Sequence, residues 1–186
     1  MDNPSPFNPS ATEVHLINPA YGDSFAFGKA GKDYTLIAQT FTMTVDCEII
    51  QVFVKISTIK GNREPIHASL IRCRDGSYPS EDPDDILSST EVSADLFPGA
   101  YPGFGFNRVA IMPEGLRVGA GDTLALVLKS NSPLDGRQME YMVPEVAGEN
   151  FNRGRLLQKI GDEAWRGVGG LRGYTGSADF AVLIRR

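Results

Sequence analysis

At 186 residues, with 41% apolar and 22% charged side chains, the chain is long enough to bury its own core and too apolar for intrinsic disorder. No unbroken apolar stretch exceeds the five residues from Leu124 to Leu128, so no membrane-spanning helix is expected, and a net charge of −5 offers nucleic acid no general attraction. With 20 glycines and 12 prolines spread along its length, the chain is unsuited to a helical bundle and suited to short strands joined by turns.

In chain order, residues 1–24 are expected to form an extended arm, rich in Asn, Pro and Ser over its first half, with Phe7 as an apolar anchor. The start Met1-Asp2-Asn3-Pro4-Ser5-Pro6 has neither a basic region nor an apolar stretch, so no signal peptide and synthesis in the cytoplasm are expected. From residue 25 the reading is nearly all strand. Residues 36–45 alternate Ile37, Gln39, Phe41 and Met43 with Thr and Ala, the period of a half-buried strand. Residues 49–59 place Val52, Val54 and Ile56 on one face and Gln51, Phe53 and Lys55 on the other. A strand at 66–73 leads into the turn-rich Asp75-Gly76-Ser77-Tyr78-Pro79-Ser80-Glu81-Asp82-Pro83, with a short helical turn expected at 84–87. Further strands are expected at 88–92, 104–111, 123–128, 139–143, 156–160 and 180–184, a count that suits a sandwich.

Three of these strands are apolar on both faces, around Phe53, around Val127 and around Leu183. A two-layer sandwich wets one face of each sheet, so a loop, the N-terminal arm or another protein chain is expected to cover the outer side. Charge is also uneven: residues 75–99 hold seven acids and no base, whereas residues 151–186 hold seven Arg or Lys against three acids. Either the two segments meet within one molecule, or they join molecules head to tail. Cys47 and Cys73 read as reduced thiols on strands, with a single disulfide as the alternative.

The order of short motifs resembles the jelly-roll β-sandwich domains, related in form to carbohydrate-binding modules, of bacteriophage virion and bacterial surface proteins. The pieces are Ala38-Gln39-Thr40-Phe41-Thr42, Val52-Phe53-Val54-Lys55-Ile56, Asp75-Gly76-Ser77-Tyr78-Pro79-Ser80, the run from Gly119 through Asp122 to Leu128, Trp165, and the closing strand from Asp179 to Ile184. The resemblance implies an all-β jelly-roll β-sandwich of two antiparallel sheets over residues 25–186. It also implies a virion-surface location. Sugar-binding members display several exposed aromatics, whereas this chain has one tryptophan, set among Arg and Gly.

Catalysis has little raw material. His15 and His67 are the only histidines, and no nucleophile elbow, HExxH, phosphate-binding loop or EF-hand sequence occurs. His67, between strand residues, reads as structural. Asp82, Asp84 and Asp85 with their acidic neighbours are the candidate Ca²⁺ ligands, read alternatively as a solvated acidic loop. For sugar binding, Trp165 supplies an aromatic face, Arg166 and Asp162 flank it, and Tyr101 and Tyr174 are secondary candidates; the alternative is that Trp165 plugs one end of the sandwich. Phe7, Phe53, Val127 and Leu183 are the candidate assembly contacts. The expected function is therefore non-enzymatic, without a cofactor: a structural or adhesion component such as a phage head decoration, fibre or tail accessory. Its expected partners are other protein subunits, in a homo-oligomer or on a particle, with no nucleic acid or membrane. The alternatives are a glycan-binding module, and a glycan lyase or hydrolase on the same scaffold.

Overall fold

A computed structural model of the protein describes residues 12–15, 21–58, 64–96, 106–134, 141–146, 153–169 and 176–186. They form 13 strands: β1 (Thr12–His15), β2 (Tyr21–Ala30), β3 (Asp33–Thr42), β4 (Cys47–Thr58), β5 (Ile66–Arg72), β6 (Ile86–Val92), β7 (Phe106–Ile111), β8 (Leu116–Val118), β9 (Thr123–Ser130), β10 (Tyr141–Val146), β11 (Leu156–Ile160), β12 (Arg166–Gly167) and β13 (Phe180–Arg185). The helical turn expected near residue 84 is the 3-10 turn Pro83–Asp85, capped by Asp82, whose carboxylate accepts the Asp84 N–H at 3.0 Å. No helix among the described residues is long and apolar enough to cross a membrane.

The strands follow one antiparallel path, β1-β13-β4-β10-β2-β3-β9-β5-β6, with β7 and β8 also on β4, β11 on β3 and β12 on β11. The sheet curls, and β2 is where it turns: its residues Tyr21 to Phe27 pair with β10, and Gly28 to Ala30 pair with β3. Gly28 sits at that change of partner with φ +156°, a conformation open to glycine and strained for any residue with a Cβ.

Curling brings the two halves of the sheet face to face. Ile37, Phe41, Leu124, Leu126, Leu70 and Ile66 from one half pack in a single cluster with Ile49, Val52, Val54, Ile56, Phe180 and Val182 from the other. Phe41 and Phe180 meet across it with ring centroids 5.9 Å apart, and Phe27 stacks on Tyr141 at 5.7 Å. At about 1.5–3 kcal/mol for each large apolar side chain removed from water, this cluster is the main source of stability. The fold is all-β and compatible with a β-sandwich.

The alternation read from residues 49–59 is obeyed: Val52, Val54 and Ile56 are fully buried. Strand β3 starts three residues earlier than the alternation indicates, because the turn at Gly31-Lys32 pairs Asp33 with Ala30. Segment 1–24, expected as an arm, contributes β1, which pairs in the same chain with β13 through Thr12–Leu183, Val14–Val182 and His15–Ala181, and also the first four residues of β2.

Candidate functional site

The half-sheet β3-β9-β5-β6 has a second, outward face. Alternation along each strand sets Ala38 on β3, Ala125 and Val127 on β9, and Leu157 on β11 outward, where they cluster with Cys73, Ile71 and Trp165. The small Ala38 and Ala125 leave room for the Trp165 indole, which the β11–β12 hairpin folds back over the sheet. The chain therefore covers this end of the face with its own residues, the loop or arm alternative of the sequence reading. Trp165 is half-buried there, beside Arg166, whose guanidinium donates to Gln158 Oε1 at 2.9 Å.

Trp165→Ala is expected to lower the unfolding free energy by about 2 kcal/mol, less than a fully buried aromatic, as read by urea denaturation. An unchanged stability with lost sugar binding would assign the indole to a ligand instead.

Residues 73–85 brace the same end. Asp75 Oδ1 accepts the backbone N–H groups of Ser77 and Tyr78 at 2.9 and 3.0 Å, and Ser80 N–H returns to the Arg72 carbonyl at 3.0 Å. Arg74 lies between two acids, 3.0 Å from Asp82 and 2.6 Å from Asp85, the latter buried. Glu81 pairs with Lys159, and the Arg155 guanidinium lies 4.7 Å from the centre of the Tyr78 ring. The acidic and basic segments thus meet within one molecule at these contacts.

These contacts act on the acids. Ser80 first, then Arg74, holds the Asp85 carboxyl below its ordinary range; the Tyr78 and Ser77 amides do so for Asp75, and Lys159 for Glu81. A carboxylate with a lower pKa folded than unfolded stabilises the fold above its ordinary pKa, and that contribution disappears as pH falls through the depressed value. The melting temperature is therefore expected to fall as pH drops below about 5, and Asp85→Asn is expected to flatten that slope. A slope identical in parent and variant would show that Asp85 is not among the groups responsible.

Arg74 also bears on the Ca²⁺ expectation, since its guanidinium takes the place between Asp82 and Asp85 that a cation would fill. Asp84 is exposed, and among the described residues no three His, Cys, Asp or Glu are grouped to hold a metal ion. Beside this loop, Arg72, Cys73, Arg74, Gly76, Gly121, Asp122 and Thr123 line an open cleft of about 330 Å³. Its arginines are already engaged, Arg72 with Asp122 at 3.6 Å.

The other end of the face is polar and open. Ser69 and Ser89 share a hydrogen bond of 2.8 Å, and His67 Nδ1 lies 3.4 Å from Glu91 Oε2. Lys129 is the cross-strand neighbour of His67, and its Nζ stands 4.1 Å from the centre of the Tyr34 ring. Lys29 Nζ is 5.3 Å from the same ring, and Tyr34 donates its hydroxyl to Asn131 Oδ1 at 2.7 Å. Sequence reading missed this corner. Extending the β9 alternation one step beyond Val127 indicates that Lys129 faces outward, but its meeting with Lys29 over Tyr34 depends on the β2–β3 hairpin.

Of the other candidates, Asp162 and Arg166 are exposed. Tyr101, Tyr174 and Phe7 lie outside the described residues. Phe53 and Val127 are only 8% and 7% exposed in the single chain, and Leu183 is half-buried on β13 beside β1. Cys47 and Cys73 are buried, reduced thiols in different clusters. Burial, with Asp75 adding to it, pushes the Cys73 thiol up to about 12, so it is a packing group rather than a nucleophile.

No protein-family model matches the chain, and no curated protein matches it. Fold and site together define an all-β chain with a curled antiparallel sheet, one outward face of which is half covered by its own residues and half open.

Proposed function

We propose that the protein is a non-enzymatic structural or adhesion component of a larger assembly, built as a jelly-roll β-sandwich. It is of the kind that phage virions carry on their surface as head decorations, fibres or tail accessories. The observation that supports this reading best is the open half of the outward face. Its side chains stand on paired strands or just beyond them and contact one another through Ser69–Ser89, His67–Glu91 and Tyr34–Asn131. A preorganised, shallow surface of this kind suits gripping a partner rather than enclosing and transforming a small substrate. With Val127 buried under the chain's own residues, this half is the part of the face left for a partner.

The test is light scattering of the purified chain together with its binding to a panel of bacterial envelope polysaccharides. A defined oligomer or saturable binding is expected. A monomer that binds no member of the panel would overturn the reading.

A second reading, a glycan-binding module centred on Trp165, is favoured by the half-exposed indole beside the Arg166–Gln158 pair, an aromatic face with polar groups at its rim. Trp165→Phe, which keeps most of the apolar contact, is expected to weaken sugar binding on this reading and to leave it unchanged on the first.

A further inference from the structure

We infer that the Lys29–Tyr34–Lys129 corner binds the anionic groups of an acidic polysaccharide laid across the outward face. The inference rests on the adhesion reading and names its ligand class. In a chain of net charge −5, these two ammonium groups converge on one ring, 5.3 and 4.1 Å from its centre. Attraction to the ring offsets part of their mutual repulsion. Among the described residues no carboxylate forms an ion pair with either lysine, and Lys129 is exposed and Lys29 partly exposed toward an outside anion. Tyr34 is fixed by its bond to Asn131, which leaves the exposed Asn131 amide N–H groups to donate to a ligand.

The row next to this corner decides between ligands. From the Tyr34 ring on β3, which Lys129 of β9 overlies, it passes to His67 on β5 and Glu91 on β6, with Ser69 and Ser89 alongside. At about 4.8 Å between strands, the row spans about 14 Å, enough for a few sugar rings. Hydroxyl, imidazole and carboxylate groups hydrogen-bond ring hydroxyls. Glu91 at the far end opposes a densely acidic chain such as a polyglutamate segment, whereas a glycan whose charges are separated by hydroxylated rings meets lysine at one end and hydroxyl partners beyond it.

The experiment measures binding of the full chain to polygalacturonate, with dextran as the neutral polymer, polyglutamate as the acidic peptide and inorganic phosphate as the simple anion. Polygalacturonate is expected to bind best, and more weakly at about 150 mM salt, where the screening length is about 8 Å. The Lys29→Ala/Lys129→Ala double variant is expected to lose about tenfold in affinity together with the salt dependence, and the Lys→Arg pair to restore both. Equal binding of dextran or polyglutamate, or binding of phosphate alone, overturns the ligand assignment. Polygalacturonate binding that survives the double replacement overturns the site and leaves adhesion standing. Failure of the whole envelope panel, with a monomer in solution, overturns adhesion itself.

Discussion

Replacing Gly28 with alanine is expected to cost about 3 kcal/mol or more, the sum of a strained backbone and an overpacked contact. In a domain of this size that is a fall of about 10 °C in melting temperature. A Cβ built at Gly28 lies 2.3 Å from the carbonyl oxygen of Ser132, and that oxygen is not free to retreat, because it accepts the Lys29 N–H at 2.7 Å. The Leu134 side chain closes the other side at 3.2 Å. The residue sits where β2 passes from β10 to β3, so displacing it disturbs the pairing that curls the sheet. Gly31→Ala is the matched control, since Gly31 also has a positive φ but open space around its Cβ position, and about 1 kcal/mol is expected there. If thermal melting gave the two variants the same small shift, the close approach to Ser132 would not matter for stability.

Gln39→Leu is expected to cost about 2–3 kcal/mol although it makes the core more apolar. Gln39 is 2% exposed on the inward side of β3, on the same face as Ile37 and Phe41. Its Oε1 accepts the Ala178 N–H at 2.7 Å, and its Nε2 donates to the Thr40 carbonyl at 2.8 Å and to Ser177 Oγ at 3.4 Å. Leucine removes these partners and leaves a buried backbone N–H unsatisfied, a penalty larger than the apolar gain. Urea denaturation gives the magnitude, and hydrogen exchange at the Ala178 amide gives the cause. Faster exchange there together with the loss of stability is the expected pair; protection equal to the parent's would mean that another acceptor has replaced the amide.

The alternation that placed Ile37, Gln39, Phe41 and Met43 on one face was legible because strand periodicity is a local property, but it did not show what the Gln39 amide holds. The two-residue β12 and three-residue β8 carry too few residues for any period to show. Trp165 was legible as a lone aromatic with two possible uses, but its bed on Ala38, Ala125 and Leu157 joins residues far apart in the chain. The acids at 82–85 were legible as a cluster; that Arg74 lies between two of them was not, because a run of charges does not reveal its own counter-ion.

By itself, then, the sequence determined an all-β chain, most of its strands, the inward faces of β3 and β4 and the position of the acidic loop, all properties of composition and of a period of two residues. Tertiary structure alone decided which outward face is covered, which charges are paired and where Lys29 and Lys129 converge on Tyr34. Those outcomes depend on contacts such as Gln39 to Ala178, 139 positions apart, and Lys159 to Glu81, 78 positions apart. Closing the sheet fixes such pairs because it brings distant segments side by side, and no local preference of the chain encodes that distance.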